Sequence, residues 1–102
     1  MTKNENLLDP IPPGEVLLEE FMKPLGVSRN RLSRDLDIPV SRVSEIVRGT
    51  RAVTADTALR LSRYFGTSAE MWMNLQSSYD LRVARATTWP KTQARVRALS
   101  TG

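Results

Sequence analysis

Six prolines and five glycines mark where this chain cannot be regular helix, and their positions decide most of what it can fold into. The run Asp9-Pro10-Ile11-Pro12-Pro13-Gly14 excludes regular structure, because each proline fixes φ and removes an amide donor. Pro13 suits the first turn of a helix, where a missing N–H costs nothing, and Pro24 with Gly26 ends that helix after Lys23. Asp37-Ile38-Pro39 ends a second segment, since the residue before a proline avoids the α region. Gly49 and Gly66 stand where helices terminate, and Trp89-Pro90 closes the helical pattern.

The intervals between these breaks carry helical periodicity. From Glu15 to Lys23, Val16, Leu17, Phe21 and Met22 face inward, and Glu15, Glu19 and Glu20 outward, with the acids favoured by the helix dipole. Ser28 caps a second helix whose Leu32 and Leu36 are four apart and whose polar face reads Arg29, Asn30, Arg31, Ser33 and Arg34. A third follows at once, with Val43, Ile46 and Val47 on one face and Ser41, Arg42, Ser44, Glu45 and Arg48 on the other. Thr54 caps a fourth, where Ala55, Ala58, Leu59 and Leu61 (or Ser62) recur before Phe65. Thr67 or Ser68 opens the fifth, with Glu70 in place for a capping box. That helix runs to about residue 85, with Met71, Trp72, Leu75, Tyr79 and Val83 inward. The expected fold is therefore all-α, with five helices in residues 1–86. The basic tail 87–102 alternates only loosely, and a frayed helix, a short strand or an irregular end all remain open for it.

Composition removes most enzymatic chemistry. The chain has no Cys and no His, so thiolate nucleophiles, Cys-ligated zinc, Ser-His triads and the usual base near neutral pH are all absent. No Gly-rich phosphate loop or paired-carboxylate motif occurs, and neither an enzyme, a cofactor, a metal nor a small-molecule substrate is expected. No apolar run approaches the ~20 residues of a membrane span. The opening MTKNENLLDP has no signal-peptide core, so a cytoplasmic protein is expected.

The net charge of +4 is unevenly distributed. Residues 1–24 carry −3, residues 28–51 carry +3 through six arginines, and residues 81–102 carry +5 with no acid. Such segregation points to an anionic partner at particular surfaces. The segment from Ser28 to Arg51 has the helix-turn-helix layout, in which the second helix enters a DNA major groove and the first braces it. Only the first turn or two of that second helix meets base edges, and here it offers Val40, Ser41, Arg42, Ser44 and Glu45. Arginine can bridge guanine O6 and N7, serine can bond either partner, glutamate can accept from cytosine N4, and valine can touch a thymine methyl. Arg29 and Asn30 are placed for phosphate at one end, and Arg48, Thr50 and Arg51 at the other.

Four stretches, DPIPPGEVLLEEFMKPLGVS, SRVSEIVRGTR, TADTALRLSRYFGTSAEMWMNLQ and YDLRVAR, resemble the HigA-type antitoxins of the Xre/lambda-repressor-like helix-turn-helix family. The likeness runs from Asp9 to Val83, about three quarters of the chain, and the last two stretches set it apart from a generic repressor domain. It implies a lambda-repressor-like fold and a homodimer on an inverted-repeat operator in its own promoter. It also implies a cognate RelE-like toxin that cleaves mRNA. One departure is Pro39, where many relatives place a capping Ser or Thr; Ser41 or a DNA phosphate would then have to serve the helix start.

Several residues read two ways. Trp72 and Tyr79 share a helix face and suit a core, yet with Val83 and Val96 they are also the candidates for a dimer interface. The Glu15, Glu19, Glu20 face is either merely solvated or a seat for a toxin that the resemblance implies to be basic. Asp56 fits a dipole partner, and Glu45 fits either a base reader or an ion-pair partner of Arg42 or Arg48. The alternatives to an autorepressing antitoxin are a solitary Xre-type repressor and a toxin inhibitor that no longer reads DNA.

Overall fold

Six helices follow one another along residues 10–100, the part of the chain that the computed structural model describes, and no strand occurs among them. The charges of Lys3, Glu5 and Asp9 lie outside the described residues. The first helix, α1, is continuous over residues 13–25: Pro13–Val16 is α-helical, Leu17–Met22 is wound as π-helix, and Lys23–Leu25 is α-helical again. Pro24 therefore does not end it, contrary to expectation. The amide of Lys23 reaches back five residues to Leu18 O, and the wider turn precedes a proline that has no N–H to continue a tighter ladder. Gly26 ends the helix in the left-handed region at φ 65°.

α2 (Arg29–Leu36) starts as expected, with Ser28 Oγ accepting from Arg31 N at 3.1 Å. It closes through two backbone bonds, Asp37 N to Arg34 O and Ile38 N to Ser33 O, with Asp37 left-handed at φ 58°. This is a Schellman turn in which aspartate takes the position usually held by glycine. α3 (Val40–Arg48) follows after Pro39, and no side chain caps it; neither Ser41 nor any other residue takes that role among the described residues. Gly49, left-handed at φ 82°, terminates α3 where the sequence places it.

α4 (Ala55–Phe65) is capped by Thr54. Leu59 is 62% exposed and does not share the buried stripe assigned to it, because one residue rotates the helix face by about 100° from the fully buried Ala58. Thr57 is buried in its place. α5 (Ala69–Thr87) is capped by Ser68, not Thr67. The expected capping box gives way because the Thr67 hydroxyl accepts from the Trp72 indole N–H at 2.8 Å.

Trp89-Pro90 does not close the helical pattern, contrary to expectation, and of the alternatives open for the tail the strand does not form among the described residues. The chain enters a further helix, α6 (Trp89–Gln93), with Pro90 in its first turn where the missing N–H is harmless. Only residues 96–100 are irregular.

One core holds the five main helices together. Leu17 and Met22 of α1, Leu32 and Leu36 of α2, Val43, Ile46 and Val47 of α3, and Ala58 and Leu61 of α4 pack around Trp72 of α5. Phe21 stacks at a tilt on both Phe65 (5.0 Å) and Trp72 (5.2 Å). The buried faces of α2 and α3 are the ones their spacing predicts, which leaves their arginine-bearing faces outward.

Candidate nucleic-acid interface

The first two residues of α3 stand clear of the core, into which Val43 of the same turn is buried. Val40 is 43% exposed despite being apolar, Ser41 is exposed beside it, and the side chain of the half-buried Arg42 forms no hydrogen bond or ion pair among the described residues. Ser44 is half-buried and accepts from Arg29 Nη1 of α2 at 3.4 Å, which joins two residues expected at the interface across the helix pair. Asn30 and Arg48 lie exposed on α2 and α3.

Glu45 pairs with neither Arg42 nor Arg48. Its Oε1 accepts from Arg51 Nε at 2.6 Å, so the ion-pair partner lies in the loop after α3. Thr50 is likewise engaged: its amide and hydroxyl both donate to Glu45 O, at 2.9 and 3.2 Å. These bonds satisfy a carbonyl that a helix end would otherwise leave open. Arg42 and Arg51 also flank a cleft of about 260 Å³ that reaches Thr57 of α4 and its cap Thr54. Asp56, at its edge, is drawn toward Arg60 at 2.9 Å.

Three supports of the helix pair escaped the sequence reading. Arg60 of α4 donates through Nη1 to Leu36 O (2.6 Å) and Asp37 O (3.1 Å), holding the turn between α2 and α3. Its only sequence sign was an acid four residues earlier, Asp56. Buried Gln76 accepts from Val53 N at 2.7 Å and donates to Asp80 at 2.9 Å, anchoring the loop that leads from α3 to α4. A polar residue one turn after Trp72 on the apolar stripe of α5 was the available signal. Gly14, third, lets the start of α1 touch the backbone of α3 at Ile46 and Val47.

On the far side of α2, Tyr64 OH donates to Asp35 Oδ2 at 2.7 Å, and Arg31 approaches the same oxygen at 3.5 Å. The bond to the Asp35 carboxylate, then burial, raise the Tyr64 hydroxyl above its ordinary pKa of 10.0.

Of the dimer candidates, Trp72 has no accessible surface and is core, so it offers nothing to a second copy. Tyr79 and Val83 are half-buried on α5, and Val96 is exposed beyond α6. Leu81 and Trp89, which the sequence reading did not single out for this role, are 52% and 39% exposed along the same end.

Residues 18–72 match a family model described as helix-turn-helix. Virulence-associated protein I of Dichelobacter nodosus is 51% identical over 80 residues, which cover 78% of this chain and 74% of that protein. The Pseudomonas aeruginosa antitoxin HigA, solved with the higBA promoter, superposes with a TM-score of 0.85 at 43% identity, covering 89% of this chain and 99% of that one. An addiction module antidote protein of the HigA family from Coxiella burnetii superposes at 0.83 and 44% identity, with the same shares. The chain belongs to the helix-turn-helix family, in its HigA-type branch.

Proposed function

We propose that this protein is a cytoplasmic, DNA-binding antitoxin that represses its own promoter as a homodimer and neutralises a RelE-like, mRNA-cleaving toxin. The observation that carries the DNA-binding part is the start of α3, where Val40 and Ser41 are exposed and the half-buried Arg42 has no side-chain partner among the described residues, beside the arginines of α2. The likeness to an antitoxin solved on promoter DNA supports the same reading. In each protomer α3 enters one half-site, with half-sites about 34 Å or a multiple apart. Arg42 reads a base, Ser41 and Val40 complete the edge contact, and Arg29, Asn30 and Arg48 hold phosphate.

The second copy docks on the outer end of α5 and the segment after it, where Tyr79, Val83 and Val96 join the exposed Leu81 and Trp89. The toxin meets the exposed acids of α1, Glu15, Glu19 and Glu20, of which Glu19 is shared with Lys23 at 2.9 Å.

The test is titration of the protein against DNA from just upstream of its gene, beside a scrambled duplex of equal length, at two salt concentrations. Strong preference for the upstream fragment supports specific readout. Equal, salt-sensitive binding to both would leave only an electrostatic patch and favour the inhibitor that reads no DNA. Co-expression with the small neighbouring gene product separates an antitoxin from a solitary repressor, and sedimentation of the free protein tests the dimer.

A further inference from the structure

Glu45 is the one acid on α3, whose outer face otherwise carries serines and arginines. A bare carboxylate there would oppose a phosphate backbone. The fold answers that charge from outside the helix. Gly49 turns the chain back, the Thr50 amide and hydroxyl close on Glu45 O, and Arg51 is thereby delivered to the Glu45 carboxylate at 2.6 Å. Arg42 and Arg48, one turn away on the same helix, are left unpaired among the described residues.

We propose that Glu45 reads no base and acts instead through Arg51, as an internal counter-charge that withholds one cation from DNA phosphate. The inference rests on the DNA-binding reading above. In the free protein Arg51 is neutralised, so the edge of the interface after α3 presents an ion pair where sequence inspection counts a free positive charge. The side chains are 52% and 35% exposed, so a phosphate can compete for Arg51, but only by breaking an existing bond. Glu45 thus sets how strongly the protein holds DNA of arbitrary sequence, for which phosphate contacts supply nearly all the affinity.

The experiment measures the salt dependence of binding for the parent, Glu45→Gln, Arg51→Ala and the double variant. The probes are the upstream fragment and its scrambled counterpart. Freeing Arg51 by Glu45→Gln should steepen the log-log salt slope on scrambled DNA by about 0.9, a gain of roughly threefold between 200 and 50 mM salt. In the Arg51→Ala background the same substitution should lose most of that gain. Preference across single-base variants of the upstream fragment should stay as in the parent. Glu70→Gln, at an exposed acid in the first turn of α5, is the control for a general change of charge. Equal gains in both backgrounds would overturn the proposal, because Glu45 would then act as a lone charge. Altered preference at one base pair would overturn it in favour of direct reading. If the parent binds neither duplex, the DNA-binding reading itself falls, a result distinct from either of these.

Discussion

Gly14 lies so close to Ile46 that a Cβ on the glycine would stand 1.7 Å from the Ile46 carbonyl oxygen and 2.9 Å from Val47 Cα. Both obstacles are backbone, so no rotamer change can clear them, and the start of α1 is seated directly on α3. Gly14→Ala should force the two helices apart and destabilise the protein by about 1–3 kcal/mol or more, as overpacking does. Gly66→Ala meets nothing within 4 Å but stands at φ 75°, so its cost is conformational, about 1 kcal/mol. Urea denaturation of both variants checks the ranking. An alanine tolerated better at 14 than at 66 would refute the close approach.

Arg60 of α4 supports the turn that joins α2 to α3. Its guanidinium holds Leu36 O and Asp37 O at the turn, and charge-assisted bonds of this kind contribute about 1.5–3 kcal/mol. Arg60→Ala is expected to lose stability on that scale, and Arg60→Lys to recover part of it, since a lysine lacks the planar fork. Asp56→Asn should change little, because the exposed pair it forms with Arg60 is worth about 0–1 kcal/mol. Denaturation midpoints of the three variants test the order.

What periodicity made legible was the side of each helix that faces the core. Leu32, Leu36, Val43, Ile46 and Val47 are buried as their spacing demands, and the caps Ser28 and Thr54 act where short polar residues precede helical runs. Leu59 shows the limit, since a neighbouring leucine one residue off the stripe satisfies composition but not geometry. Proline lacks an N–H and so predicts stops at Pro24 and Pro90, yet a π-turn before one and a new first turn around the other make that loss harmless. Contacts between separated residues left only indirect signs, such as the acid one turn before Arg60 and the polar Gln76 on an apolar stripe, and nothing that named the partner. Arg51 reaches back to Glu45 across a turn, Arg60 reaches 24 residues to Leu36, and Gln76 reaches 23 to Val53. Only the tertiary arrangement brings those pairs together.

Gln76 gives a sharper test of burial. Its side chain satisfies the Val53 amide in the core, and leucine at 76 would keep the volume while leaving that amide without an acceptor. Gln76→Leu should therefore destabilise by about 1–3 kcal/mol despite being more apolar. Hydrogen exchange at Val53 should accelerate beyond the global change. An unchanged or raised stability would mean that the loop finds another acceptor.

Alkaline stability should report on Tyr64. The bond to Asp35 favours the neutral phenol in the folded state, which raises its pKa above the ordinary 10.0. A group raised on folding stabilises fully below its unfolded pKa, and that contribution disappears as pH climbs through the folded value. The parent should thus lose this increment above pH 10, whereas Tyr64→Phe, already without it, should show a smaller drop between pH 9 and 11. Parallel denaturation curves for the two proteins over that range would exclude the linkage.

Arg42 is the residue on which sequence readout should depend most. It stands at the third position of α3, its side chain makes no internal bond among the described residues, and none needs breaking for it to meet a base edge. A bidentate contact to guanine O6 and N7 is worth about 1–3 kcal/mol of discrimination. Arg42→Ala should weaken binding to the upstream fragment by that amount and relax preference at a single base pair of each half-site. Arg48→Ala, assigned to phosphate, should weaken all duplexes alike and reduce the salt slope by about 1. The two patterns differ in kind, so competition binding with single-base variants separates them. If Arg42→Ala instead weakens every duplex equally, the base-reading role passes to Ser41 and Val40, and Arg42 joins the phosphate contacts.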